Sequence, residues 1–259
     1  CFGSEDLKTW TLFSPETDGP GPEVWAVTEF MGEVWASSVS GLYKSNNGGM
    51  RWEKLPGMFP PFISEITIDD TAKGRMAWLS GFDTPYRYGG GPDMLRSSDG
   101  GRTWEALRTG TASAISQAVS SRVHHVAMLD GTLWACTRHG LARSSDMGES
   151  WTRVKGRAGL ETDEIFDIVA WQDSLWIATR EGLYSSRDKG ETWTHDSRLR
   201  CPVRKAMSDA NRLWLATDGG LIARSRAAEW RSYSVRSNVL CMAATREDGV
   251  DIWWAGTTG

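Results

Sequence analysis

Three arginines lie in short polar segments between apolar runs, where ligand-binding side chains are often found. Arg138 and Arg180 occupy equivalent segments, and Arg87 lies in a longer one. A guanidinium group can hold a carboxylate or a phosphate through two parallel hydrogen bonds. If the three segments lie side by side, the arginines form one arc around an anion-binding mouth; otherwise they are solvated loop residues. The other candidates in equivalent segments are Asp83, Tyr86, Tyr88, His139, Glu181 and Asp218.

Histidine and cysteine show no spacing that is typical of a metal site. His124 and His125 are adjacent in a strand-like segment, so they point to opposite faces and cannot share one metal ion. The four Cys residues contain no CxxC pair, which is an argument against structural zinc. Cys136 stands where a sister segment has Ala178, which favours a small buried thiol. We expect no metal and no cofactor.

The composition excludes several classes of protein. The 259 residues are 40% hydrophobic and 24% charged, which is ordinary for a globular domain. The net charge of −4 gives no basic excess, so we expect no nucleic-acid partner. No apolar run approaches the roughly 18 residues that a transmembrane segment needs. The 15 Trp and 28 Gly residues favour repeated small β units.

One spacing recurs along the chain: a Trp is followed six positions later by a Gly. The copies read WASSVSG, WACTRHG, WIATREG, WLATDGG and WWAGTTG. A looser copy at Trp78 is followed by the insertion FDTPYRYGGGPDM, which contains Arg87. The five regular copies begin at Trp35, Trp134, Trp176, Trp214 and Trp253.

A second pattern runs from a Ser to a Trp seven positions later. It reads SSDGGRTW at 97–104, SSDMGESW at 144–151 and SRDKGETW at 186–193. SNNGGMRW at 45–52 is a weaker copy, and SRAAEW at 225–230 has lost the Asp and the Gly. These segments resemble the Asp-box, or BNR, repeat of sialidases, xyloglucanases and sortilin-type receptors.

The resemblance implies a β-propeller in which each box is a hairpin turn at the blade periphery. The Asp can accept backbone N–H groups, the Gly can adopt positive φ, and the Trp can pack beneath the turn. A catalytic or metal-binding role for these Asp residues is therefore not expected. The structural box residues are Ser97, Asp99, Gly101, Trp104, Ser144, Asp146, Gly148, Trp151, Ser186, Asp188, Gly190 and Trp193.

Each repeat predicts four strands, because short alternating segments are separated by polar turns. One repeat gives strands at 165–171, 174–180, 182–186 and 191–196. We therefore predict an all-β chain with a single six-bladed β-propeller domain over 1–259, built from four-stranded antiparallel blades. The predicted blades are 21–57, 58–113, 114–160, 161–199, 200–238, and 239–259 together with 1–20.

The two ends of the chain are predicted to share the last blade. The final repeat stops after its second strand, and the first residues resemble the missing pair, with Ser4, Asp6 and Trp10 in a shortened box. Such sharing secures a ring of sheets that would otherwise have open edges. The alternative is a larger propeller that has been cut at both ends.

Three functions compete at this point. We favour a non-catalytic binding or assembly module for a protein or carbohydrate ligand, because photosystem assembly factors of similar repeat type are binding proteins. The second is a glycoside hydrolase resembling sialidases, in which Tyr86 or Tyr88 with Glu65 or Glu181 would supply the Tyr–Glu nucleophile pair of that family. The family's Arg-Ile-Pro segment is absent, however. The third is a fragment of a larger Asp-box hydrolase. The resemblance also implies a secreted, periplasmic or lipid-anchored location.

Overall fold

The regular structure of this protein consists of β-strands. The computed structural model describes residues 2–3, 11–12, 24–38, 40–57, 59, 63–71, 74–81, 94–107, 123–154, 159–160, 162, 164–233, 239–247 and 250–257. All regular elements in these ranges are strands, which confirms the all-β class. Among the same residues, no helix has the length and apolarity that crossing a membrane requires.

The chain forms two compact units, Cys1–Gly131 and Thr132–Gly259. The strands of the first unit are β1 Phe2–Gly3, β2 Thr11–Leu12, β3 Val24–Phe30, β4 Glu33–Ser38, β5 Gly41–Ser45, β6 Glu53–Lys54, β7 Ile63–Thr71, β8 Gly74–Gly81, β9 Met94–Ser97, β10 Glu105–Ala106 and β11 Val123–Leu129.

The second unit contains thirteen strands among its described residues. They are β12 Thr132–Thr137, β13 Gly140–Ser144, β14 Thr152–Arg153, β15 Ile165–Trp171, β16 Ser174–Thr179, β17 Gly182–Ser186, β18 Thr194–His195, β19 Val203–Ser208, β20 Arg212–Thr217, β21 Gly220–Ser225, β22 Trp230–Tyr233, β23 Val239–Glu247 and β24 Val250–Thr257.

Five sheets have four antiparallel strands each, in the order in which the strands follow along the chain. They are β3–β6, β7–β10, β11–β14, β15–β18 and β19–β22, numbered here as sheets one to five. Four-stranded antiparallel sheets were predicted, and these five confirm them. Among the described residues β1–β2 and β23–β24 are two-stranded sheets, so the sixth four-stranded blade stays a prediction.

The fourth strand of sheet four is shorter than the sequence pattern predicts. In sheet four the prediction was 191–196, whereas β18 contains only Thr194 and His195. The preceding residues are held in a turn instead, because the backbone N–H of Thr192 donates to Asp188 Oδ1 at 2.8 Å. A backbone group that is bonded inside a turn is not available to a sheet ladder.

The second strand of a sheet is buried on both faces, which the simple alternation of a half-buried strand does not predict. Five consecutive residues of β12, β16 and β20 are buried. Sheet four lies between neighbours in the second unit, since β15 contacts both β12 and β19. A sheet that is covered on both sides needs apolar residues at successive positions.

Neighbouring sheets of the first unit are joined by an indole ring. Trp35 of β4 is 1% exposed and packs against Phe30, with their ring centroids 5.3 Å apart. The ring also lies directly against Gly101, so that an added Cβ on Gly101 would overlap it. The second unit repeats this contact, which we call the Trp–Gly contact, between Trp134 and Gly190.

Sheet five replaces that contact with an arginine. The turn that follows β21 has lost the glycine, and Arg224 of β21 covers Trp176 of sheet four, with its Cζ 4.8 Å from the ring centroid. Trp171 and Trp230 lie 5.7 and 5.9 Å from the same atom. A cation–π contact therefore takes the place of a close approach by backbone.

Candidate functional site

The turns between the second and third strands of sheets three, four and five share one clamp. A buried Thr ends the second strand and donates its Oγ1–H to the carbonyl of the Gly three positions later, for example Thr137 to Gly140 at 2.7 Å. The same Thr oxygen accepts the backbone N–H of the residue directly before that Gly, for example His139 at 3.1 Å. Thr179 and Thr217 repeat both bonds. We call these three the Thr-clamp turns.

Each Thr-clamp turn presents two residues at its tip. Arg138 and His139 are exposed in the first turn, and so are Arg180 and Glu181 in the second. Asp218 is half-buried in the third turn, beside Gly219. The structure thus gives the predicted binding residues of the second unit equivalent positions at the same end of their sheets. Their arrangement as one arc with Arg87 stays a prediction.

Two of these side chains are bound to the segment that leads into β15. Arg180 forms an ion pair with Glu164, with Nη1 3.2 Å from Oε2, and its backbone N–H donates to the Glu164 carbonyl. Glu181 accepts a short hydrogen bond from the hydroxyl of Thr162. The second turn therefore presents a guanidinium and a carboxylate that are both already oriented.

An arginine that the sequence analysis did not select completes the third turn. Arg204, on β19, makes two hydrogen bonds to Asp218, from Nε to Oδ1 at 3.1 Å and from Nη2 to Oδ2 at 3.3 Å. Its Cζ lies 5.1 Å from the ring centroid of Phe166 on β15. Arg204 directly follows Val203, the buried residue at which β19 begins, and Phe166 directly follows Ile165, the buried residue at which β15 begins. The position after the first residue of such a strand is the sequence signal that could have identified them.

Several predicted residues lie outside the described part of the chain. They are the insertion residues Asp83, Tyr86, Arg87 and Tyr88, and the shortened box residues Ser4, Asp6 and Trp10. Their predicted roles are neither supported nor contradicted.

The opposite end of the sheets carries the turns at 97–104, 144–151 and 186–193, which we call the Ser-Asp turns. Ser144 donates to Asp146 Oδ1 at 2.6 Å and accepts the N–H of Gly148 at 2.8 Å. Asp146 Oδ1 also accepts the N–H of Ser150, and Oδ2 accepts its hydroxyl at 2.5 Å. Ser97 with Asp99 and Ser186 with Asp188 form the same network.

These hydrogen bonds stabilise the ionised carboxylates. Bonds from the Ser144 and Ser150 hydroxyls and the Ser150 N–H lower the pKa of Asp146 from 3.8 to about 2. The pKa values of Asp99 and Asp188 are lowered to about 2 in the same way, first of all by the hydroxyls of Thr103 and Thr192. A carboxylate saturated with donors in this way is suited to holding a turn rather than to transferring protons.

The substitution Asp146→Asn is expected to cost about 1 kcal/mol of stability at pH 7, because the amide cannot accept the Ser150 hydroxyl bond on its Nδ2. The folded pKa is below the unfolded one, so this contribution is complete above about pH 4 and vanishes near pH 2. Chemical unfolding of both proteins from pH 2 to 7 measures the difference.

The chain offers a control for this prediction. Asp173 is an exposed turn carboxylate, and Asp173→Asn should leave the acid limb of the stability curve unchanged. Asn47 is a natural precedent, because its Oδ1 accepts Ser45 Oγ and Arg51 N at 2.9 and 2.8 Å, and Arg51 has no hydroxyl to donate. An equal loss from both Asp→Asn changes would contradict the prediction.

His124 and His125 are adjacent on β11, and their pointing to opposite faces stays a prediction. His125 Nδ1 lies 2.5 Å from Glu65 Oε2 on the neighbouring sheet of the first unit. Within the described residues, no group of three His, Cys, Asp or Glu side chains is close enough to hold a metal ion. Cys136 is fully buried, in keeping with a packing role.

The sequence pattern and these sheets agree with a family profile. The family described as "DUF6242 beta propeller domain" matches residues 83–208, just under half of the chain. The match covers the regular repeats that build sheets three and four. The chain is a β-propeller. Its five four-stranded sheets are propeller blades, numbered as before.

Solved structures of low sequence identity share this fold. The extracellular domain of the one-component system BT4673 from B. thetaiotaomicron has a TM-score of 0.68 and 14% identity over 96% of this chain and 35% of that one. The GH74 xyloglucanase from Xanthomonas campestris has a TM-score of 0.67 and 17% identity over 92% of this chain and 44% of that one. YCF48 bound to D1 peptide has a TM-score of 0.61 and 17% identity over 91% and 77%.

The length covered differs between these propellers. This chain spans about a third of the B. thetaiotaomicron extracellular domains. No curated protein matches its sequence significantly. The structural similarity therefore establishes the fold and leaves the ligand to be argued from the turns.

Proposed function

We propose that this β-propeller is a non-catalytic binding or assembly module that holds a protein or glycan on its Thr-clamp turns. The observation that carries the proposal is the contrast within those turns. Thr137, Thr179 and Thr217 are fully buried and make the same hydrogen bonds. The pairs displayed between each Thr and its Gly are Arg-His, Arg-Glu and Asp-Gly in the three turns.

Recognition residues are usually carried on turns whose backbone is held rigidly while the displayed side chains vary. The Thr clamp fixes the backbone, so displayed side chains lose little further backbone entropy on binding. Arg138 and Arg180 supply planar donors that suit carboxylate groups or the hydroxyls of a sugar. The YCF48 structure with its bound peptide is an example of a binding propeller of this fold.

The nearby carboxylates favour binding over hydrolysis. Glu164 is paired with Arg180, Asp218 is paired with Arg204, and Glu181 accepts from Thr162. A glycosidase acid or base must reach a substrate atom and exchange a proton with it. Carboxylates that are already occupied by protein donors are better placed to orient the basic side chains.

Six blades, with the last one shared between the chain ends, complete the proposed ring. Support comes from the first strands β3, β7, β11, β15, β19 and β23, which begin at similar spacings apart from the longer step between β7 and β11. Further support comes from β1–β2 and β23–β24, which are two-stranded sheets among the described residues. The resemblance to Asp-box proteins and the extracellular domain of BT4673 favour an extracytoplasmic location.

Charge reversal at two turn tips tests the binding function. The double variant Arg138→Glu, Arg180→Glu is expected to weaken the tightest ligand found on peptide and glycan arrays by at least about tenfold. A hydrogen bond to a charged group contributes roughly 1.5–3 kcal/mol, and both donors are lost. Titration calorimetry of the selected ligand measures the change.

The matched control is Arg187→Glu. Arg187 is exposed in the Ser-Asp turn that follows β17, whereas Arg180 lies in the Thr-clamp turn that precedes β17. The control's charge change of about −2 matches each of the two substitutions taken singly, and it should leave affinity unchanged. Equal weakening by Arg187→Glu would place the ligand elsewhere. Turnover of a fluorogenic sialoside that is lost in Arg180→Ala would replace the proposal with a hydrolase.

A further inference from the structure

Blades four and five meet at an arginine that is held flat. Phe166 covers one face of the Arg204 guanidinium at 5.1 Å, and Asp218 binds its edge through two hydrogen bonds of 3.1 and 3.3 Å. The three residues come from β15, β19 and the third Thr-clamp turn. We call this group the Phe–Arg–Asp stack. An arginine with fixed plane and edge has lost most of its rotamer freedom before any ligand arrives.

The stack is partly open to solvent. The Arg204 side chain is 38% exposed and the Asp218 side chain 31%. Phe166 is half-buried, so it supports the guanidinium from the protein side. Part of the Arg204 side chain is therefore open to a ligand, next to the third Thr-clamp turn.

The charges of the stack decide which ligand chemistry fits. Asp218 neutralises Arg204 and occupies its Nε–Nη2 edge, so an incoming anion would meet a guanidinium whose charge is already compensated. The flat face of the guanidinium remains usable, and arginine stacks well on aromatic rings. A sugar offers no π system to this cation, whereas Tyr, Trp and Phe side chains do.

We propose that the Phe–Arg–Asp stack binds an aromatic side chain of a partner polypeptide, which stacks on the exposed face of Arg204. This inference rests on the proposed binding function and selects a protein over a glycan as the ligand. Glu164 lies two positions before Phe166 along the chain and forms an ion pair with Arg180. In this proposal, that ion pair supplies polar contacts for the peptide around the bound aromatic ring. An aromatic anchor with a polar surround is a common arrangement in protein interfaces.

Saturation-transfer NMR with N-acetyl-L-tryptophanamide tests the stack, since this probe carries an indole and two amides but no charge. The wild-type chain is expected to give saturable transfer to the indole protons. Arg204→Lys keeps the charge next to Asp218 but removes the plane, and should weaken the probe about two- to fivefold, as the loss of an exposed cation–π contact predicts. The matched control, Arg187→Lys in a Ser-Asp turn, should leave the affinity unchanged.

A second variant separates stacking from anion binding. Asp218→Asn keeps one acceptor but removes the negative charge beside Arg204, so N-acetylglutamate amide should gain more affinity than the tryptophanamide probe; a larger gain for the indole would overturn the proposal. N-acetylglutamate amide should bind no better than the indole in the wild-type chain. Saturable N-acetylglucosamine transfer that Arg204→Lys removes, without indole transfer, would mean that a glycan binds there instead.

The test of the Phe–Arg–Asp stack can fail independently of the test of the proposed binding function. Failure of the indole probe together with retained sensitivity to Arg138→Glu, Arg180→Glu would remove the stack and keep the binding face. Circular dichroism and the unfolding midpoint of each variant check that the blades remain folded, so a lost signal reports the site.

Discussion

Replacement of Gly101 by alanine is expected to lower the free energy of unfolding by about 2–5 kcal/mol. Gly101 has φ +79°, and an added Cβ would overlap the ring of Trp35. The left-handed backbone costs an alanine roughly 1–2 kcal/mol. Overfilling a packed core costs typically about 1–3 kcal/mol more. The sum is a large fraction of the stability of an ordinary domain.

Neither partner in this contact can move away easily. The Gly101 N–H donates to Ser97 Oγ at 2.8 Å, and its carbonyl accepts Trp104 Nε1 at 3.1 Å. Trp35 is 1% exposed and is enclosed by Phe30 and Trp104. The overlap between the new Cβ and the Trp35 ring can therefore be relieved when blades one and two separate or when hydrogen bonds of the turn break.

Gly32 provides a matched control. Its φ is +78°, but no atom lies within 4 Å of an added Cβ. Gly32→Ala should show the backbone cost alone, so the difference between the two variants isolates the Trp–Gly contact. Denaturant unfolding followed by circular dichroism gives both values, and equal losses would contradict the packing argument. In a double-mutant cycle, Trp35→Leu should make Gly101→Ala cheaper.

Removal of Arg224 is the second large effect that we expect. Arg224→Ala should cost about 2–4 kcal/mol, because the guanidinium lies within 6 Å of the centroids of Trp171, Trp176 and Trp230. A desolvated cation–π contact contributes about 2 kcal/mol or more, and the arginine stem also fills space between the blades. Trp176 would lose the group that replaces the glycine of the Trp–Gly contact.

The opposing effect is the desolvation of the arginine. Burial lowers the pKa of Arg224, and none of the described residues accepts its buried Nε–H. Arg224→Leu separates the two effects, since it retains apolar packing and removes the charge. We expect it to cost about 1–2 kcal/mol, less than alanine; a gain in stability would show that desolvation dominates.

Arg212 is the control for this prediction. Its Cζ lies 5.4 Å from the ring centroid of one indole, that of Trp214. Arg212 is half-buried and contacts one ring where Arg224 contacts three, so Arg212→Ala should cost about 1 kcal/mol and less than Arg224→Ala. Unfolding midpoints of the three arginine variants and the parent chain, measured under identical conditions, provide the comparison.

The sequence alone predicted the repeated architecture well, because the repeat is local. A Gly six residues after a Trp, and a Trp seven residues after a Ser, reflect turn geometry within a few neighbouring residues. The strands predicted at 165–171, 174–180 and 182–186 are observed at Ile165–Trp171, Ser174–Thr179 and Gly182–Ser186. The turn bonds of Asp146 connect residues at most four positions apart, which short patterns can report.

The blade contacts could not be predicted in this way, since they join residues that are distant along the chain. Gly101 meets Trp35, and Arg224 meets Trp176, through the stacking of one sheet on the next. The Ser-to-Trp pattern showed that a glycine belongs in the turn, but not that an indole lies against it. Only packing reveals that the degenerate turn of blade five is compensated by an arginine.

The residues of the candidate site were likewise predicted in part from the sequence and in part found from tertiary packing. Its turn tips, Arg138 and Arg180, were found from the repeat register, because equivalent positions in a repeat occupy equivalent places in their sheets. The partners Glu164, Arg204 and Phe166 were missed, since strand pairing and blade stacking bring them to the turns. The sequence determined the β-repeat and its turn chemistry through local hydrogen bonding. Tertiary packing decided which charges are paired, and which arginine plane is held against an aromatic ring.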